Sequence, residues 1–286
     1  MQQWLFVSLA IFIPVSIAAT NVVIGCIVIL WLFTPGIKQR IEAIKNEEAE
    51  VYVTNDNYDL TVAKAKKRCF EENKIGNKNT WSLVQDTAWD GYEEVPLDIM
   101  KGYWTQIHEI TEQIISYDVD VIFLQVGVGS WAASIASYIM IFWKNPPMII
   151  TVEPLSANCI YESMKTGQRV SVNNNKNTIM AGLDCGTVSK IAWGILKNYV
   201  HYSLAISDTF TKRAMRLLAH PIKDDNVIIA GESGAGGMAG LLALYENKKN
   251  MENCFLTSST TALIINTEGD TDPHSYNKII RIENER

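Results

Sequence analysis

Apolar positions along this chain follow two rhythms that take turns. In LDIMKGYWTQIHEITEQII (97–115) they return every three or four residues, as on one face of a helix. In VDVIFLQV (119–126) and PMIITVEP (147–154) they form short, nearly unbroken runs, as in strands buried on both faces. From Pro35 the alternation is regular. PGIKQRIEAIKNEEA spaces Ile37, Ile41 and Ile44 helically behind a starting proline. EVYVTN is a short strand, and YDLTVAKAKKRCFEENK a helix capped by Asn57 or Asp59. WSLVQDT (81–87) is a strand before the 97–115 helix, and 119–126 runs through QVGVGSW into a helix over 130–143. SANCIYESMKTG is a helix closed by Gly167, and the helices TVSKIAWGILKNYV and DTFTKRAMRLLAH flank the strand HYSLAIS. NVIIAGESGAGGMAGLLALYE is a second strand–glycine–helix unit, and TALIINTEGDTD a last strand running into an acidic loop. NNNKN (173–177) and TSSTT (257–261) are surface turns. Strands separated by helices imply parallel crossovers, hence an α/β fold whose parallel sheet is flanked by helices.

The first 37 residues break this pattern, because they carry no charged side chain and are almost continuously apolar from Trp4 to Phe33. That exceeds the roughly 20 residues that cross a bilayer as a helix. Lys38, Arg40 and Lys45 follow, which places the main domain in the cytoplasm and gives membrane contact through 4–33. The missing basic start and the length argue against a cleaved signal peptide. Pro14 and Thr20-Asn21 interrupt the run, so buried strands, or an aberrant N-terminus foreign to the fold, are the other readings. The expected division is an apolar segment over 1–34 and an α/β domain over 35–286.

Composition narrows the chemistry. The 286 residues are 48% apolar and 20% charged, a globular balance, and the net charge of −6 argues against a nucleic-acid partner. Five cysteines and four histidines are scattered without a CxxC or HExxH, so no metal site is expected.

Ligands of open α/β sheets sit beyond strand carboxyl ends, where Gly127, Val128, Gly129 and Ser130 form a turn. Glycine lets the backbone approach an anion, helix-start amides donate to it, and the Ser130 hydroxyl can add a donor. Tight strand-to-helix packing explains the same glycines equally well. A Walker loop is ruled out, since no lysine follows the turn. Gly127-x-Gly129-x-x-Ala132, with Glu153 at the next strand end, fits a dinucleotide fingerprint and hence an NAD(P)-dependent oxidoreductase. Gly234-x-Gly236-x-x-Ala239 fits it too, which dilutes the signal. GESGAGGMAG (231–240) implies a backbone lying close to a ligand or, more simply, to the sheet. Asp86 ends a strand as a proton acceptor, ammonium anchor or turn cap, while Asn266 and Thr267 end the last strand as hydrogen-bonding side chains. Glu268, Asp270 and Asp272 beside them suit a solvated turn better than a cation site.

Six segments in order carry a family likeness: VQDTAWDGYEEVP, LQVGVGSWA, TVEPLSANCIYES, TIMAGLDCG, GESGAGG and NTEGDTD. From Pro35 onward the chain resembles the diaminopropionate ammonia-lyases, fold-type II pyridoxal-phosphate enzymes related to tryptophan synthase β. The resemblance implies the larger domain of that fold and pyridoxal 5'-phosphate as cofactor. Gly127, Val128, Gly129 and Ser130 would hold its phosphate by backbone amides. Asn266 or Thr267 would face its ring nitrogen, and Asp86 would lie near a small amino-acid substrate. The implied reaction is α,β-elimination of 2,3-diaminopropionate to pyruvate and ammonia, in a family that is often homodimeric. One departure stands out. The family's Schiff-base lysine lies upstream of the region matching Pro35, where this chain has 34 residues without a lysine. Lys101 and Lys190 are not family positions. The expectation is therefore a lyase-like chain of impaired activity, from a truncated or misassembled gene product. A non-catalytic anion- or partner-binding descendant and the oxidoreductase are its alternatives.

Overall fold

The computed structural model describes residues 27–29, 37–54, 56–74, 81–114, 118–173, 177–223 and 225–281. They fall into two compact units, Met1–Gln85 and Asp86–Arg286.

In the first unit, β1 (Ile27–Ile29) pairs in parallel with β2 (Tyr52–Thr54), with α1 (Ile37–Asn46) between them and α2 (Tyr58–Lys74) after them. A membrane helix over 4–33 is thus not what forms at Ile27–Ile29; this β-branched triplet is ladder-bonded instead. The remainder of that segment lies outside the described residues, among which no helix is long and apolar enough to cross a membrane. The strand expected over 81–87 is also absent. Both main-chain groups of Trp81 are taken by the Asn73 side chain, so the segment has its partner without a ladder.

The second unit contains α3 (Glu94–Gln113), β3 (Val121–Gln125), α4 (Ser130–Phe142), β4 (Met148–Pro154), α5 (Cys159–Thr166), α6 (Lys190–Tyr199) and β5 (Tyr202–Ile206). α7 (Asp208–Ala219), α8 (Gly236–Glu246), α9 (Lys248–Asn253), β6 (Ala262–Ile264) and α10 (Pro273–Ile280) follow. The sheet order is β5-β4-β3-β6, all parallel. Period-two alternation divides its faces. Ile122, Leu124 and Ile149 face a core shared with Met100 and Ile107 of α3, Ile135 and Ile139 of α4, and Leu196 of α6. On the other face lies α8, whose Gly237 sits on Phe123 and Ile264 and whose Gly240 sits on Val152.

Residues 226–230 form no strand either. They run singly, held where the Ile228 N–H donates to the Leu218 carbonyl and Asn266 Nδ2 donates to the Ile229 carbonyl. β3 and β4 each have a strand on both sides, 226–230 is added to neither edge of the sheet, and Val227, Ile228 and Ile229 stay exposed.

The connectivity locates the functional end. From β3 the chain moves through α4 to β4 and on to β5; it then returns by α7 and α8 on the opposite face to lay β6 beside β3. The direction reverses between β3 and β6, and beyond the carboxyl ends of such a pair a crevice opens.

Candidate functional site

Five segments meet at that end: 86–88, 127–130, 180–189, 231–237 and 266–269. The glycine turn is clasped from two sides. Ser130 Oγ donates to the Asp86 carbonyl at 2.8 Å, and the Ser189 N–H donates to the Val128 carbonyl at 2.8 Å. The Ala88 N–H donates to Ser189 Oγ, and the Lys190 N–H returns to the Ala88 carbonyl. Gly129 has φ +95°, the left-handed region, and a side chain there would also press on Ala192 and Leu196 at 3.1 Å. A Cβ on Gly127 would lie 2.7 Å from the Gly182 carbonyl. Packing alone therefore requires both glycines.

The amides are another matter. Among the described residues, no backbone N–H from Gly127 to Ala132 donates to a protein acceptor; the first bond of α4 is from the Ala133 N–H to the Gly129 carbonyl. Val128, Gly129, Ser130 and Ala132 are buried, and buried N–H groups are normally paired. A run of open donors at the positive end of a 13-residue helix is a cradle for an anion. The Ser130 hydroxyl is not part of it, being committed to Asp86.

At the β6 tip the side chain of Asn266 is occupied at both ends: Nδ2 donates to the Ile229 carbonyl and Oδ1 accepts from the Glu268 N–H. Thr267 is exposed, and its Oγ1 accepts from Gln125 Nε2 at 2.8 Å. Of the two residues expected here, Thr267 is the one left open to a ligand. Asp86 joins the site through its carbonyl on Ser130, and its charge adds to burial in pushing the Tyr103 phenol up to about 12.

Glu153 is turned inward. It is fully buried, and its carboxylate accepts from the N–H groups of Ile160 and Tyr161 at 2.8 and 2.7 Å, capping α5. Burial pushes its carboxyl up to about 8 against those two bonds. A side chain so placed presents no edge to a ribose. The acidic loop is likewise structural. Glu268 accepts from the N–H groups of Ser233 and Gly234, and Asp272 caps α10 through Ser275. Among the described residues, no three His, Cys, Asp or Glu side chains gather to hold a metal. The glycines of 231–240 meet Asn266, Gln125, Ile264 and Val152, so sheet and loop contact accounts for them.

Gln125 and Ser189 belong to this end of the sheet without having been expected there from sequence, and Glu268, read there as part of a solvated turn, instead accepts from the Ser233 and Gly234 N–H groups. Gln125 had a signal, a lone polar residue closing an apolar strand; Ser189 had the look of a helix cap.

Comparison with known proteins gives this end of the sheet its context. Residues 15–258 match the model of the pyridoxal-phosphate dependent enzymes, a stretch that begins inside the apolar segment and stops short of β6. The chain belongs to that family. It is 36% identical over 249 residues to the diaminopropionate ammonia-lyase of Escherichia coli K12, and 38% identical over 251 residues to that of Salmonella typhimurium LT2. These alignments take in 85% and 84% of this chain but 61% and 60% of the relatives, so the chain spans about three fifths of their length. A crystal structure of the Escherichia coli enzyme with an aminoacrylate–pyridoxal-phosphate azomethine superposes with a TM-score of 0.77 at 36% identity, covering 85% of this chain and 62% of that one.

Proposed function

We propose that this chain binds pyridoxal phosphate at the β3–β6 switch point and acts on a small amino acid as the diaminopropionate ammonia-lyases do. The observation that carries the reading is the run of open amides from Gly127 to Ala132, a few residues from the exposed hydroxyl of Thr267 across the strand pair. One end suits a phosphate, the other a ring heteroatom. When bound, the cofactor supplies an electron sink for a carbanion at the substrate α-carbon. The protein does the rest. Gly127, Val128, Gly129 and Ser130 anchor the phosphate by their N–H groups, Thr267 meets the ring, and Asp86 stands by the turn as proton acceptor or ammonium anchor. The substrate on this reading is 2,3-diaminopropionate, split to pyruvate and ammonia.

A second reading is favoured by the lysines. Lys190 is ion-paired to Asp90 and Glu93, whose hydrogen bonds hold its ammonium above the ordinary lysine range; Lys101 is paired with Asp98 at 2.8 Å. Both are exposed, and a charged amine is no nucleophile. On that basis the 286-residue polypeptide binds the cofactor without a covalent link and is slow or inactive as a lyase. Incubation with pyridoxal phosphate and 2,3-diaminopropionate separates the readings. Pyruvate at ordinary enzyme rates supports the first; bound cofactor without pyruvate supports the second; no bound cofactor refutes both.

A further inference from the structure

Ser189 occupies the cap position of α6, yet its hydroxyl does not cap that helix. A serine there normally accepts from an N–H of its own first turn. Here Ser189, fully buried, accepts at Oγ from the Ala88 N–H at 2.9 Å. The helix start forgoes a bond and the loop before α3 gains one. The main chain of Ser189 reaches the other way. Its N–H donates to the Val128 carbonyl at 2.8 Å, and the peptide group that holds this carbonyl also holds the Gly129 N–H. In a trans peptide the two point in nearly opposite directions. The bond from Ser189 therefore turns the Gly129 N–H away from α6, among the open amides of the glycine turn. Ala192 and Leu196 of α6 close the back of the turn, each 3.1 Å from where a Gly129 Cβ would lie. The loop that receives the hydroxyl is held as one piece. The Ala88 carbonyl accepts from the Lys190 N–H at 2.9 Å, so both main-chain groups of Ala88 go to the start of α6. Trp89 and Tyr92 exchange backbone bonds and stack their rings with centroids 4.5 Å apart, and Lys190 Nζ donates to Asp90 and Glu93. Asp86 lies two residues before Ala88. A line of hydrogen bonds thus runs from Gly129 through Val128 and Ser189 to Ala88. An anion accepting from the Gly129 N–H would polarise that line, because bonded groups in a low-dielectric interior strengthen one another.

We propose that Ser189 is a positioning residue that carries occupancy of the glycine turn to the loop bearing Asp86, so that a bound phosphate group sets the place of that loop. The inference rests on the pyridoxal-phosphate reading and adds to it a route from the anion to Asp86. The test follows the backbone amide shifts of the full chain as inorganic phosphate is added, with pyridoxal phosphate in a parallel titration. Inorganic phosphate fills the turn without a ring to contact the loop. In the wild-type protein the amides of Asp86, Thr87 and Ala88 move with the same midpoint as Gly129. In Ser189→Ala, which keeps the N–H on Val128 and removes the hydroxyl, Gly129 still responds and the 86–88 amides no longer do. Hydrogen exchange supplies a second readout that needs no variant: saturating phosphate slows the wild-type Ala88 N–H by about fivefold or more. Three results overturn the coupling while leaving anion binding intact. They are 86–88 amides or Ala88 exchange unmoved in the wild-type protein, 86–88 amides that still follow in Ser189→Ala, and a folded Ser189→Ala in which Gly129 itself falls silent. No response at Gly129 to either ligand in the wild-type protein overturns the cofactor reading beneath it.

Discussion

Ser130 Oγ donates to the Asp86 carbonyl at 2.8 Å, tying the first turn of α4 to a loop 44 residues earlier. Together with the Ala88–Ser189 contacts, this bond holds the aspartate's main chain beside the open amides at one end of the sheet. Ser130→Ala leaves the Asp86 carbonyl without this donor in a part-buried contact. The expected loss is about 1 kcal/mol of stability, with weaker cofactor binding as the 86–88 loop loosens. Chemical denaturation and cofactor titration of the variant check both; unchanged values in each would remove the tie from the account.

The glycines of α8 are required by the sheet beneath. A methyl group on Gly240 would run into the Val152 side chain, so Gly240→Ala is expected to cost about 1–3 kcal/mol. Gly102, exposed in α3, has nothing within 4 Å of an added Cβ, so Gly102→Ala is expected to stabilise by about 0.5–1 kcal/mol. Denaturation midpoints of the two variants should move in opposite directions.

Glu153 gives stability a pH dependence. Burial lifts its carboxyl from 4.5 to about 8 in the folded chain, with Ile160 and Tyr161 pulling the other way. The folded state therefore holds this proton more tightly than the unfolded state does. Its contribution is full below the unfolded value and is lost as pH rises to about 8. Over that window the wild-type protein should lose up to roughly 1.4 kcal/mol per pH unit from this group, and Glu153→Gln should lose that slope. Urea denaturation from pH 5 to pH 8 reads it; parallel profiles would contradict the assignment.

Lys101 and Lys190 are expected to play no part in holding the cofactor. Replacing both by methionine should leave its affinity and absorbance unchanged, since each amine is ion-paired at the surface. Borohydride reduction followed by peptide mapping should find no cofactor on either; a label on Lys190 would overturn this.

The parallel sheet was legible in the sequence because buried strands and amphipathic helices have different periods, and β3, β4 and β5 with the helices between them lie where those periods place them. The strands expected over 81–87 and 226–230 failed for one reason: an apolar run says nothing of a ladder partner, and without one Val84, Val227, Ile228 and Ile229 stay exposed. Site residues divided in the same way. The Gly127–Ser130 turn is local and could be read; that Asn266 is spent on Ile229 and Glu268 while Thr267 stays exposed with Gln125 on its hydroxyl depends on contacts across the fold. Glu153 shows the limit of spacing, which counted residues to a strand end without telling inward from outward.

On the function proposed above, the amides at the start of α4 hold the cofactor phosphate. Amide chemical shifts of the full chain, followed as pyridoxal phosphate is added, test it most directly. The largest changes are expected at Gly127 through Ala132, with smaller ones at Thr267. Saturable binding that leaves those amides unmoved, or no binding at all, would contradict it.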